Sequence, residues 1–405
     1  MSWTSKININ NTFTLRYGGT QLFFGVGAIR KVSKIFEEFK KRNLNRVLFV
    51  TGKSSYRVSG AWDHVKGLLD TYGIEYQVFD KVIPNPTVDI VDEALKIGRE
   101  FNAKAVIGIG GGSPADTAKA VGCLMAEGGN ARELFMKREQ PKNSLPVAVI
   151  NLTHGTGTEI NRYGVETIPE KKYKVGMALT YPEFSIDDPQ LLVNLDKWQT
   201  IATALDTLNH ATESATIKSA SPFSIQLSRE AAHLIFKYLP LALLEPNNLV
   251  ARYYLLYASM LAGIAIDHAG THLTHSLEHP VSGFNPDVPH GIGLAILLPS
   301  ILKVVYPVMP EILSELYEPI APNLRAKPGE AYELAMRVEE WMFNIGLRKK
   351  LSDYGFTERD IGELVRLLKE TPGLRDGVEA TPAQVDEELV EKIYRESLYP
   401  LSKNI

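Results

Sequence analysis

Nine histidines occur in this chain of 405 residues, and five of them, His268, His272, His275, His279 and His290, crowd into one stretch. At roughly 100° per residue, positions 268, 272, 275 and 279 stay within about 60° of one another around a helix axis. Upstream, Asp206 and His210 form another i,i+4 pair, which presents a carboxylate and an imidazole from adjacent turns. Core packing explains such crowding poorly, because a buried imidazole needs partners for both ring nitrogens. A metal site built from one carboxylate and several imidazoles explains it well. One ion cannot take all four histidines, since the stripe is about 16 Å long at about 1.5 Å rise per residue. Periodicity does not separate His272 from His275 as the ligand. His290 precedes Gly291-Ile-Gly293, at a loop-to-helix junction from which it can point back. Asp206, His210, one central histidine and His290 make four ligands with coordination positions to spare, and Glu213 continues the same face as their support. Nitrogen-rich donors with one carboxylate suit Fe²⁺, Zn²⁺, Co²⁺ or Ni²⁺ better than Mg²⁺ or Ca²⁺.

Two glycine-bearing segments follow apolar, strand-like runs. Gly110-Gly-Gly-Ser-Pro-Ala-Asp-Thr-Ala-Lys119 comes directly after Ala105-Val-Ile-Gly-Ile109. Its glycines let a diphosphate approach the backbone, and Ser113 and Pro114 suit the first turn of a helix whose unpaired N–H groups attract phosphate. Asp116 lies near the same helix start, placed to meet a ribose hydroxyl or the nicotinamide amide. The spacing is neither G-x-G-x-x-G nor a P-loop, which disfavours an ATPase. Asn151-Leu-Thr-His-Gly-Thr-Gly-Thr-Glu159 follows Pro146-Val-Ala-Val-Ile150 in the same way and adds the hydroxyls of Thr153, Thr156 and Thr158. Such loops at the carboxyl ends of parallel strands are where open α/β sheets bind ligands.

The elements that must position these groups divide into two textures. Strand-like runs at 46–50, 75–79, 105–109 and 146–150 alternate with helical patterns at 61–71 and from 85–87 to about 101, which predicts a largely parallel sheet covered on both faces. After Asp187-Asp-Pro189 the chain reads as helices over 196–219, 223–243, 248–281, 291–307, 309–319, 328–344, 357–369 and 382–396. The boundary falls near residue 190, giving an α/β dinucleotide-binding domain over 1–190 and an all-helical metal and substrate domain over 191–405. Apolar content of 44%, 22% charged residues and a net charge of -3 describe a soluble globular chain with no nucleic-acid partner. The single Cys123 cannot form an internal disulfide, and no signal peptide or apolar span of ~18 residues is read, which together predict a cytoplasmic protein without a membrane partner.

With these residues in view, the chain resembles the iron-containing (group III) alcohol dehydrogenase family. The match runs through Tyr17-Gly-Gly-Thr20, Phe24-Gly-Val-Gly27, Asn85-Pro-Thr87, the 110–119 segment, Gly155-Thr-Gly-Thr-Glu159, Asp187-Asp-Pro189, Leu205-Asp-Thr-Leu-Asn-His-Ala211, His275-Ser-Leu-Glu-His-Pro280 and Pro289-His-Gly-Ile292. The resemblance implies a Rossmann-like nucleotide-binding domain followed by a helical metal domain, the dehydroquinate synthase-like architecture, with the site between them. It places the metal ligands on Asp206, His210, His275 and His290, and an additional cleft histidine, a proton-relay candidate, on His279. Cofactor contacts fall on Gly110, Gly111, Gly112, Ser113, Asp116, Thr153, Thr156 and Lys174. His268 and His272 become extras, candidates for the substrate cleft or an alternative metal position. The usual Pro-Thr-Thr-Ala reads Asn151-Leu-Thr-His154 here, which puts a large polar group near the expected cofactor.

The implied reaction is reversible hydride transfer between a primary alcohol, or its aldehyde, and a nicotinamide, with Fe²⁺ expected and Zn²⁺ or another divalent metal possible. A polyol or diol dehydrogenase of the same superfamily is the nearer alternative, and a metal- and NAD-dependent dehydroquinate synthase-like lyase the more distant one. The lyase needs a basic pocket for phosphate and carboxylate, and the helical half has no evident Arg/Lys cluster beside its histidines. Family members restricted to NAD commonly carry an acid at the position of Gly52. Thr51-Gly52-Lys53 followed by two serines has none, which predicts NADP(H) in preference to NAD(H). The family often forms dimers, so a homodimer is expected.

Overall fold

The computed structural model describes residues 3–401. Nine strands occur among them: β1 (Phe13–Tyr17), β2 (Thr20–Phe24), β3 (Arg46–Gly52), β4 (Glu75–Val82), β5 (Ala105–Gly110), β6 (Val147–Asn151), β7 (Tyr163–Ile168), β8 (Tyr173–Ala178) and β9 (Phe184–Asp187). Seven make one sheet in the order β1-β2-β9-β6-β5-β3-β4, in which only the β1/β2 pair is antiparallel. β3, β5 and β6 are apolar runs because both their faces are covered. Val47 and Phe49 face the helices Val32–Lys41 and Ala61–Tyr72, while Leu48 and Val50 face Val88–Phe101 and Gly112–Glu127. From β3 the chain moves outward to β4 and then returns to the other side of β3 as β5. This reversal opens a crevice at the carboxyl ends of β3 and β5, beside Gly52 and Gly110.

The hairpin β1/β2, the separate hairpin β7/β8 and the strand β9 go beyond the four strands read from the sequence. β1 is an edge strand with mostly exposed residues, and β9 has four residues, so neither carries a long apolar run. The N-terminal turn Trp3–Lys6 packs on the helical half, where the Tyr254 hydroxyl donates to the Thr4 carbonyl at 2.6 Å.

Past Asp187 the chain is helical, beginning with Lys197–Thr216, whose N-terminus is capped by Asp196 accepting from the Gln199 N–H at 2.9 Å. Pro222–Leu244 and Leu249–Ala269 follow. The expected single helix over 248–281 is two. It stops at Ala269, Gly270 adopts φ +95°, and a new helix, Leu273–Phe284, begins with His272 at its N-cap. Glycine tolerates that conformation without a Cβ clash, so the break is local chemistry that a helical-wheel count passes over. The four-histidine stripe is therefore not one face of one helix. The helix His290–Val305 is followed by five more among the described residues, Pro310–Leu316, Ala331–Asn344, Ile361–Glu370, Leu374–Ala380 and Glu387–Ser397.

The sequence expectation that no segment is long enough to span a membrane needs correction. Leu249–Ala269 and His290–Val308 are long and apolar enough by length and composition. In this fold 83% and 78% of those windows are buried inside the protein, so the apolar character is used by the helical core.

Candidate active site

Asp206 and His210 lie one turn apart on Lys197–Thr216, His275 and His279 one turn apart on Leu273–Phe284, and His290 opens His290–Val305. These helices approach closely because of two glycines. A Cβ on Gly291 would lie 1.9 Å from the Ala202 carbonyl oxygen, and one on Gly293 would lie 2.8 Å from Glu278 Oε1. Only a bare backbone lets His290 come this near Asp206 and Glu278.

Around Asp206 Oδ1 stand three imidazole nitrogens: His210 Nε2 at 3.5 Å, His275 Nε2 at 3.9 Å and His290 Nε2 at 4.0 Å. Asp206 Oδ1 and His275 Nε2 are buried and have no hydrogen-bond partner. Donors each about 2.1 Å from a shared ion stand roughly 3.4 Å apart. Asp206, His275 and His290 offer atoms all within 4.8 Å of one another, and with these unused lone pairs the cluster fits a divalent metal. The opposite edges of the rings are tied down. Glu213 bonds His275 Nδ1 through Oε2, while its Oε1 accepts the backbone N–H groups of His272, Thr274 and His275 at 3.1, 2.7 and 3.3 Å. Glu278 bonds His290 Nδ1 in the same manner. Each carboxylate thus holds the ring proton on Nδ1 and turns Nε2 toward Asp206.

Burial sets the charge states. It pushes the His290 and His279 imidazoles well below their ordinary pKa, with the Lys174 ammonium adding to the effect, and it lowers His210. For His275 burial acts in the same sense but is outweighed by Glu213, Asp206 and Glu278, so its pKa is raised. Burial works against the Glu213 carboxylate too, yet His275 and His272 hold it down at about 2.

One cavity of about 740 Å³ joins this cluster to the sheet. Its wall includes Asp206, His210, His275, His279 and His290 at one end and Gly52, Lys53, Ser54 and Ser55 at the other. Gly111, Gly112, Ser113, Asp116, Thr153, Thr156 and Lys174 lie along it. Gly111 and Gly112 serve a close approach: a Cβ on either would lie 2.6 Å from the side chain of Thr153 or Thr156, respectively. The Gly112–Glu127 helix begins there, with its N–H groups directed at the cavity.

Two expected cofactor residues do not reach that wall. Thr51 is fully buried, its hydroxyl directed to the Gly52 carbonyl, and Gly110 is pressed against the Pro114 ring. Asp116 borders the cavity, where its carboxylate accepts from the Thr158 hydroxyl at 2.6 Å and the Val165 N–H at 3.0 Å. Burial raises its pKa to about 6. Lys174 is buried, and its ammonium donates to Asn85 Oδ1, Ser282 Oγ and Glu278 Oε2.

The extra histidines stand elsewhere. His272 Nε2 meets the Thr216 hydroxyl behind Glu213, and His268 meets the Ser221 hydroxyl beside the Phe223 ring. Neither borders the cavity, so they are not placed for substrate or metal. The sequence reading missed Glu278 and the bridging role of Asn85, whose amide also donates to the Pro286 and Val288 carbonyls. Glu278 sits inside His275-Ser-Leu-Glu-His279, three residues from one histidine and beside the other, a signal available beforehand. Thr87 caps the Val88–Phe101 helix, its hydroxyl accepting from the Ile90 N–H.

Residues 19–189 match the iron-containing alcohol dehydrogenase family, and residues 200–398 match the C-terminal region of the Fe-containing alcohol dehydrogenase family. The chain is 53% identical over 398 residues to the long-chain primary alcohol dehydrogenase AdhA of Thermoanaerobacter ethanolicus, covering 98% of this chain and 100% of that protein. The archaeal halo-thermophilic Red Sea brine pool alcohol dehydrogenase ADH/D1 superposes with a TM-score of 0.86 at 26% identity, covering 96% and 98% of the two chains. The NADH-dependent butanol dehydrogenase A of Thermotoga maritima superposes with a TM-score of 0.84 at 28% identity, covering 96% and 99%.

Proposed function

The chain belongs to the iron-containing alcohol dehydrogenase family, a family of metal-dependent, NAD(P)-linked enzymes, and on that premise we propose an NADP(H)-preferring oxidoreductase of primary alcohols and aldehydes. The observation that carries the proposal is one continuous cavity of about 740 Å³ lined both by Gly52–Ser55 and by the Asp206 cluster. When bound, a divalent ion supplies Lewis acidity to an alcohol or carbonyl oxygen, and the nicotinamide supplies the two-electron acceptor or donor. Asp206, His210, His275 and His290 would hold the ion. Leu152, Val165 and Ile266 offer apolar walls for the carbon chain.

His279 is positioned to take the hydroxyl proton. Its Nδ1 meets the Lys174 carbonyl at 3.0 Å, and a carbonyl only accepts, so the ring proton sits on Nδ1. Nε2 is left as the base, on a side chain that borders the cavity beside His290. The nucleotide choice rests on Gly52–Ser55, where no acid opposes a 2′-phosphate and Lys53 with two serines can meet it. One similar structure is an NADH-dependent enzyme, so this choice is local and not a property of the fold.

The relative of 53% identity acts on long-chain primary alcohols, which favours alkyl substrates over diols here. A dehydroquinate synthase-like reaction is disfavoured because, among the described residues, Lys53 and Lys174 are the only lysines or arginines lining the cavity. A homodimer, supported by the family resemblance, and a domain division near residue 190, supported by a cavity lined from both sides of that position, belong to the same proposal. Enzyme loaded with Fe²⁺ or Zn²⁺ is assayed with primary alcohols and aldehydes of increasing length, diols and phosphorylated sugar acids, using both nucleotides. Higher kcat/KM with NADP(H) and alkyl substrates supports the proposal; preference for NAD(H), or turnover confined to diols or sugar acids, overturns the corresponding part.

A further inference from the structure

The Asn151–Gly157 loop carries the chain's own departure, His154, and the structure puts this residue behind the cavity wall. It is fully buried beside Arg252, a buried guanidinium whose hydrogen-bond partners among the described residues include no carboxylate. Arg252 donates to the Pro246 carbonyl at 3.0 Å, the Thr200 hydroxyl at 2.8 Å, the Leu195 carbonyl at 3.2 Å and His154 Nε2 at 3.4 Å.

These contacts determine where every proton lies. A guanidinium only donates, so His154 Nε2 accepts and carries no hydrogen. The ring is neutral, as burial and the Arg252 charge require, with its pKa depressed to about 3. Its one hydrogen is therefore on Nδ1, and that N–H donates to Thr203 Oγ1 at 3.1 Å. Thr203 in turn spends its hydroxyl hydrogen on the Gln199 carbonyl at 2.8 Å. What remains on Thr203 Oγ1 is one lone pair and no donor.

Thr203 borders the cavity, one helical turn before Asp206. Its place is secured by Gly155, where a Cβ would lie 2.9 Å from Thr203 Cβ, and by the Thr207 hydroxyl donating to the carbonyls of His154 and Gly155 at 3.0 and 3.1 Å. An acceptor held beside the metal end calls for a ligand N–H or O–H. The alcohol's hydroxyl is engaged at the metal end and its chain has no donor. The nicotinamide does, since its carboxamide NH₂ is attached next to the ring carbon that exchanges hydride.

We propose that Arg252 and His154 act as positioning residues that present Thr203 Oγ1 as an obligate acceptor for the nicotinamide carboxamide. The inference rests on the reading of this cavity as the nicotinamide-nucleotide site. From a loop where Leu152 stands at one of the two threonine positions of the usual Pro-Thr-Thr-Ala, His154 thereby orients a hydroxyl on the neighbouring helix.

The test is equilibrium binding, without turnover. Dissociation constants are measured for NADPH by fluorescence, and for 2′-phospho-ADP-ribose, which lacks nicotinamide, by calorimetry. Thr203→Val is expected to weaken NADPH by roughly three- to tenfold and leave the fragment unchanged, while Thr203→Ser stays within about twofold of the parent for both. His154→Leu is expected to follow Thr203→Val, and Thr203→Ala replaces either variant if it does not fold. Equal loss of both ligands would mean a structural role alone and overturn the proposal, as would unchanged NADPH binding in Thr203→Val. A parent enzyme that binds the fragment no less tightly than NADPH would overturn the proposal while keeping the nucleotide site. Binding of neither ligand by the parent would overturn the site itself.

Discussion

Substituting Glu213 separates the two tasks its carboxylate performs. Oε1 accepts three backbone N–H groups at the start of Leu273–Phe284, a helix whose N-cap residue makes no side-chain cap of its own. Oε2 holds the proton of His275 on Nδ1. Glu213→Ala loses both, leaving buried donors unsatisfied. A lost cap costs about 1 kcal/mol and removal of one partner from a buried charged pair about 3–5 kcal/mol, so metal-free stability should fall by roughly 4–6 kcal/mol. Glu213→Gln keeps an acceptor for the backbone, and its stability should fall much less. Its amide NH₂, however, donates toward Nδ1 and drives the ring proton onto Nε2, the atom that faces Asp206. Metal affinity should then drop about 10–100-fold, equivalent to about 1.4–2.7 kcal/mol. Cobalt(II) titration against a competing chelator reads the affinity, and urea unfolding of the metal-free proteins reads the stability. Glu213→Gln binding cobalt as tightly as the parent would refute the tautomer argument. Equal stability losses in the two variants would refute the separation of roles.

His275→Ala should lose bound metal after dialysis, whereas His279→Ala and His272→Ala should retain it, because the nitrogens around Asp206 come from His210, His275 and His290 while His272 turns to Thr216 behind Glu213; elemental analysis decides, and metal loss from His279→Ala would assign that residue to the metal. Gly291→Ala places a Cβ against the Ala202 carbonyl, so it should destabilise the protein by about 1–3 kcal/mol or more and lower metal content with it; a parent-like melting temperature and metal content would contradict the close-approach account. Gly52→Asp should reduce kcat/KM for NADP(H) selectively, since the new Cβ meets the Val82 carbonyl at a tight but tolerable 3.3 Å while its charge opposes a 2′-phosphate; an unchanged ratio of NADP(H) to NAD(H) would count against the Gly52–Ser55 reading.

Periodicity and composition alone made the α/β half, the parallel core strands β3, β5 and β6, and most helices legible, because burial on both faces or on one stripe writes itself into local apolar spacing. The same local chemistry marked Asp206, His210 and the histidine-rich stretch as metal-binding in character. Two of the missed strands left no such trace: β1 is largely solvent-facing, and the four-residue β9 is held by its neighbours β2 and β6. The sequence by itself could not choose between His272 and His275. That difference arises where Gly270 breaks the helix and Glu213, from another helix, turns one ring toward Asp206 and leaves the other behind it. The fate of His154 was equally out of reach, since its direction depends on Arg252, which is distant in the chain and adjacent only in the fold. Residue types and spacing state what chemistry is available; which lone pair faces the cavity is decided by hydrogen bonds between elements that meet only on folding.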